Sequence, residues 1–169
     1  MSESAVKNID GQVYREVLGH YPTGVAVVTG RADDGEHLAL VVGTFSSVSM
    51  DPPLVSFMPM KSSRTFDRLS RCESLCVNVV GEDQQDVVRT LAKRWENKLD
   101  GIEWFASPSG DAVLADSVAW IDTRIRETVE AGDHLIVLCE VHDMAVTNPV
   151  SPLIFHRGDY GGFACSTPA

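Results

Sequence analysis

Two groups of hydroxyl side chains lie close together in this chain of 169 residues, and the second is mixed with cations. Thr44, Ser46, Ser47 and Ser49 can hydrogen-bond a polar chain or the edge of a ring. Lys61, Ser62, Ser63, Arg64 and Thr65 bring two cations and three hydroxyls to what reads as the start of a helix. A helix start points free N–H groups outward and carries partial positive charge, which suits a phosphate. Each group alone is an ordinary strand edge or helix cap. Joined by the short apolar strand Leu54 to Met58, they point to a phosphorylated organic ligand lying along Val41 to Thr65.

Other candidates lie downstream. Gly132-Asp133-His134 reads as a hairpin turn. An imidazole titrates near neutral pH, so His134 suits polar contact or proton donation beside a redox group, against the plainer role of a surface or satisfied core histidine. In Arg157-Gly158-Asp159-Tyr160 the arginine can reach a phosphate and the tyrosine can stack on a ring. The plainer reading is a closing turn with Tyr160 packed on a rim. His20, His37, His142 and His156 show no metal-ligand spacing. GxSxG, GxxxxGK[ST] and GxGxxG are all missing, and no nucleophile has a base beside it. If the chain is an enzyme, a cofactor carries the chemistry.

Several elements must position these residues. Asp10 reads as the N-cap of a helix to about His20, with Val13, Val17 and Leu18 on one face. Val25 to Thr29 is a strand, and Asp33-Asp34-Gly35 turns it into a hairpin whose second strand starts near His37. Asp51-Pro52-Pro53 makes a corner, because proline restricts both itself and the residue before it. Ser62 or Ser63 caps a helix to about Ser70 with Phe66 and Leu69 inward, and Leu75 to Val80 is a strand. Val87, Val88, Leu91, Ala92 and Trp95 recur at helical spacing. Glu96 to Asp116 reads as a long loop, Val118 to Arg126 as an alternating strand, and Glu130-Ala131-Gly132 as a turn. A long strand follows over Asp133 to Val146, then a short one over Leu153 to His156. About seven strands with two or three short helices favour a mostly antiparallel barrel with helices over its openings.

The length suits a single domain, 1–169, with flexible ends at about 1–9 and 164–169. A formal net charge of −10 disfavours nucleic acid and anionic membrane surfaces as partners. No apolar run is long enough for a membrane-spanning helix, and the polar start lacks the apolar core of a signal peptide. Cys72, Cys76, Cys139 and Cys165 form no CxxC pair, which suits reduced thiols and a cytoplasmic protein.

Taken in order, several segments resemble the flavin reductase-like family: Tyr21 to Thr29, Ser46 to Val55, Ser62 to Thr65, Val77-Asn78-Val79, Gly132-Asp133-His134, and Pro152-Leu153 with Arg157 to Tyr160. The resemblance implies a mostly β protein with short helices, a split β-barrel of the FMN-binding type. It implies FMN or FAD as cofactor, NADH or NADPH as co-substrate, a homodimer, and a partner monooxygenase that receives reduced flavin. It implies that Gly43, Thr44, Phe45, Ser46 and Ser47 lie along the flavin ring and ribityl chain, and that Ser62, Ser63, Arg64 and Thr65 hold the phosphate. His134, Arg157 and Tyr160 would lie where the nicotinamide dinucleotide approaches, with His134 as the catalytic candidate.

The chain departs from the family pattern in two places. It has Ala39-Leu40-Val41-Val42-Gly43-Thr44 where Gly-Met-Thr-Val-Ser-Ser is common, and Cys139 where a glycine is common. Losing two hydroxyls weakens flavin binding by about tenfold unless backbone N–H groups replace them. Two other classes therefore stay open: a protein of this fold that holds FMN without NAD(P)H turnover, and a flavin-free interaction module.

Overall fold

The computed structural model describes residues 9–164. The flexible ends expected at 1–9 and 164–169 fall, apart from Ile9 and Ala164, outside the described residues. Helix α1 (Gly11–Gly19) starts where Asp10 accepts a hydrogen bond from the Gln12 N–H at 2.6 Å. The short strand β1 (Thr23–Gly24) leads into β2 (Ala26–Arg31), which turns at Asp34-Gly35 into β3 (His37–Val42). The hydroxyl-rich stretch is itself a strand, β4 (Ser46–Met50), paired antiparallel with β5 (Pro53–Phe57) around the Asp51-Pro52 corner. Helix α2 (Arg64–Leu69) follows, then β6 (Leu75–Val79), a single 3-10 turn at Glu82–Gln84 and helix α3 (Gln85–Lys93).

Two strands occupy what reads in sequence as the long loop from Glu96 to Asp116: β7 (Trp104–Ala106) and the fully buried β8 (Ala112–Leu114). The signal is weak because each strand is three residues long and its anchors come from elsewhere. Buried Asn78 on β6 accepts from the Leu114 N–H at 2.8 Å and donates to the carbonyls of Val27 and Ala112. Thr29 on β2 donates to the same Ala112 carbonyl at 2.6 Å. Strands β9 (Ala119–Ala131) and β10 (His134–Val146) form a long hairpin, and β11 (Ile154–His156) and β12 (Asp159–Gly161) a short one. The turn of the long hairpin is Gly132-Asp133, inside the expected Gly132-Asp133-His134, while Glu130 and Ala131, also read as turn, are the end of β9.

The main sheet has seven strands in the order β3-β2-β6-β9-β10-β5-β4, and every pairing among the described strands is antiparallel. Twelve strands among the described residues replace the expected seven or so, the surplus being short pieces. Apolar side chains fill both faces of β2 and β3. Val28, Leu38 and Val42 join Phe66 and Leu69 of α2 in one cluster. Val27 and Ala39 join Val88 and Leu91 of α3 in the other. The two helices thus sit against opposite faces of β3, which is an edge strand. No helix among the described residues is long and apolar enough to cross a membrane.

Candidate functional site

Ser63 is the N-cap of α2: its hydroxyl accepts from the Phe66 N–H at 3.2 Å while Phe66 and Leu69 bury themselves in the core. That geometry leaves the first helical N–H groups, of Arg64 and Thr65, without an intrahelical partner. The preceding turn is clamped by the tip of the β9–β10 hairpin. The Lys61 N–H donates to the Asp133 carbonyl and the Leu135 N–H to the Pro59 carbonyl, both at 2.9 Å. Lys61 also pairs with Glu130 at 2.8 Å, which holds the Glu130 carboxyl below its ordinary range. Of the two expected cations, Lys61 is therefore committed to the hairpin, whereas Arg64 is exposed and in no ion pair among the described residues.

The clamp sets His134 beside the turn, bridged to Met60. Its Nδ1 lies 2.7 Å from Asp133 Oδ1, and this contact keeps the Asp133 carboxyl below its ordinary value. With Nδ1 so engaged, Nε2 is the ring atom left for a ligand.

A cleft of about 750 Å³ joins these pieces, a volume suited to a small-molecule site. Leu40 to Thr44 form one wall, Met58 to Met60 and His134 another, Ser62 to Thr65 a third, and the end of α3 with Arg94, Trp95 and Lys98 a fourth. Gly43, Thr44, Ser62, Ser63, Arg64, Thr65 and His134 are thus brought together.

Gly43 has a physical reason for lacking a side chain, since a Cβ there would lie 3.0 Å from Thr23 Oγ1. The Thr44 hydroxyl is already used: it accepts from the Met58 N–H at 2.8 Å and faces the Met58 carbonyl at 3.3 Å, tying the end of β3 to β5. Phe45 is half-buried against the core, and Ser46 and Ser47 are exposed on the edge strand β4. Arg157 and Tyr160 lie elsewhere, on the β11–β12 hairpin. Tyr160 packs on Phe155 and under the Arg89 guanidinium, and the Arg157 N–H donates to the Gly19 carbonyl. A single copy of the chain does not bring them to the cleft.

Three wall residues escaped the sequence reading. Trp95 fits the helical spacing, but α3 ends at Lys93 and Arg94 is extended (φ −75°, ψ 143°), so Trp95 is 75 % exposed instead of buried. Arg94 spends its guanidinium on the Lys98 and Asp100 carbonyls, shaping the loop after α3. Lys98 folds back to donate to the Leu91 carbonyl at 2.8 Å. A single charged residue in a polar loop gives no sequence signal that it will be buried.

The long edge cleft thus lies beside a capped helix start in an antiparallel fold. The chain belongs to the family described as flavin reductase like domain, whose profile matches residues 18–164. It is 43 % identical over 156 residues to a flavin reductase of Pseudomonas putida, covering 92 % of each chain. It is 36 % identical over 158 residues to the reductase subunit HsaB of a flavin-dependent monooxygenase of Rhodococcus jostii, covering 94 % of this chain and 80 % of that one. Its structure superposes on nitrilotriacetate monooxygenase component B of Mycobacterium thermoresistibile with a TM-score of 0.89 at 34 % identity, over 97 % and 93 % of the two chains. The fold is the split β-barrel of these reductases.

Proposed function

We propose that this chain is an NAD(P)H-dependent flavin reductase that takes FMN or FAD in the edge cleft and supplies reduced flavin to a partner monooxygenase. The observation that carries this reading is the convergence of Gly43, Thr44, Ser62 to Thr65 and His134 on one cleft. The residues fit the group. Free N–H groups at the start of α2, the Ser62 and Thr65 hydroxyls and the Arg64 guanidinium suit a phosphate. Gly43 leaves the backbone approachable where family members carry a hydroxyl; Phe45, Ser46 and Ser47 follow it in sequence but do not line the cleft. Bound flavin supplies the acceptor for a hydride from NADH or NADPH. The protein's part is to hold the two rings together, which is a proximity effect. His134 is the residue assigned to the nicotinamide side, its ring oriented by Asp133.

The same reading includes a homodimer. Val13, Tyr14, Val17 and Leu18 of α1 are all exposed, none of its residues is buried, and Met50 at the end of β4 is 95 % exposed. Large apolar side chains gathered on one helix suit burial against a second copy. Arg157, whose N–H donates to the Gly19 carbonyl at the end of α1, and Tyr160 line no part of the cleft in one copy, which suits a site completed by a second copy. Described cysteines that are all free fit a cytoplasmic protein.

The test is NADH and NADPH oxidation by purified protein with FMN or FAD added in turn, followed by loss of reduced-nicotinamide absorbance. Oxidation that depends on added flavin is expected. Flavin binding without oxidation would overturn the reductase reading and leave a flavin carrier; absence of both binding and oxidation would overturn the flavin site as well.

A further inference from the structure

The cleft does not stop at the phosphate-binding turn. Leu40 and Val42 face the α2 side of β3, and Val41 faces the α3 side. The cleft, lined by all three, therefore runs from the start of α2 across the free edge of β3 to the end of α3. His134 and Met60 lie at the α2 end. One carboxylate braces both ends: Glu36 accepts from Arg68 of α2 at 2.6 Å on one oxygen and from the Asn97 N–H at 3.3 Å on the other.

Two residues at the α3 end lack what they need. Lys98 is 6 % exposed, and its ammonium has the Leu91 carbonyl as its one partner among the described residues. A last-turn carbonyl offsets some positive charge through the helix dipole, but a buried ammonium is normally met by an anion. Burial pushes its pKa down, in line with a missing counter-charge. Beside it Trp95 presents an indole to solvent on the cleft wall.

We propose that the α3 end is a subsite for the adenylate half of FAD, with Lys98 facing the second phosphate and Trp95 stacking on the adenine, so that this chain selects FAD over FMN. The proposal rests on the flavin reading above. FMN has one phosphate and no purine and leaves both residues unmatched; FAD supplies an anion and a flat ring. Stacking of a base on an aromatic side chain is strong enough to set such a preference by itself.

The experiment is equilibrium titration of the purified chain with FAD and with FMN, read by quenching of flavin fluorescence, for the wild type, Trp95→Ala, Trp95→Phe and Lys98→Met. The wild type should bind FAD about tenfold or more tighter than FMN. Trp95→Ala should reduce that ratio by about tenfold, and Trp95→Phe should keep most of it. Lys98→Met should lower the ratio too, with thermal midpoints reporting any loss of folding from the missing contact to Leu91. Equal affinities for the two flavins in the wild type, or a Trp95→Ala effect equal on both, overturns the subsite alone. Absence of any flavin binding and of flavin-dependent NAD(P)H oxidation overturns the flavin reading and this inference together.

Discussion

Gly30→Ala tests how α2, and with it the turn proposed to bind phosphate, is seated. Gly30 lies on β2 directly beneath α2. A Cβ built there would stand 2.9 Å from Leu69 Cδ2, 2.9 Å from Leu75 Cδ2 and 3.2 Å from Cys72 Sγ. Leu69 and Leu75 are both fully buried, so neither side chain can swing into solvent. The methyl must be accommodated by moving α2 outward, since Leu69 is its last residue. Overpacking of this kind costs about 1–3 kcal/mol. For a chain of this size that is a fall of about 2–12 °C in thermal midpoint. Because α2 carries Ser63, Arg64 and Thr65, flavin affinity should fall in the same variant. The assays are calorimetry and flavin titration, with Gly11→Ala as control, where a new Cβ meets nothing within 4 Å. A midpoint within about a degree of wild type and unchanged flavin affinity would refute the close seating of α2 on Gly30.

Other expectations follow from the same contacts. Asn78→Ala orphans the buried Leu114 N–H and removes one of the two side-chain anchors of β8, at about 3 kcal/mol, lowering the thermal midpoint by about 6–12 °C. Asp111 is buried and its pKa is raised chiefly by that burial, although Ser74 donates to it at 2.6 Å. The folded chain then holds a proton that the unfolded chain has released, so stability falls as pH rises from the unfolded value through the raised folded one. Asp111→Asn should therefore raise the midpoint at neutral pH, with the gain vanishing below about pH 4 in a pH series of melts. Ser62→Ala with Thr65→Ala should weaken flavin binding more than folding, and comparable losses would move the phosphate site elsewhere. His134→Ala should lower NAD(P)H turnover while leaving flavin affinity nearly intact; equal loss of both would make the residue structural. Burial pushes the Cys72 and Cys139 thiols up to about 11. In a Cys165→Ser chain, native protein at neutral pH should then react with a thiol reagent far more slowly than denatured protein.

Local chemistry was readable from the residues themselves. Asp10 and Ser63 cap helices because a short side-chain oxygen meets a free N–H within two or three residues, a contact that needs no tertiary partner. The Asp34-Gly35 turn and the inward Phe66 and Leu69 follow from the same short range. The phosphate turn and His134 were also legible as candidates, each from its own neighbourhood.

The tertiary structure decided how those candidates are used. It committed Lys61 to Glu130 and the Thr44 hydroxyl to Met58, partners that are remote in sequence. It folded β7 and β8 out of a stretch with loop composition, because Asn78 and Thr29 supply their anchors. It ended α3 before Trp95 and buried Lys98, so two residues with no distinctive spacing became walls of the cleft. The sequence by itself determined the longer strands, the caps and the turn proposed to bind phosphate, since those depend on neighbours along the chain. Only the packing of α2 and α3 on opposite faces of one edge strand decided that the cleft continues past the turn, because that depends on which distant side chains bury each other.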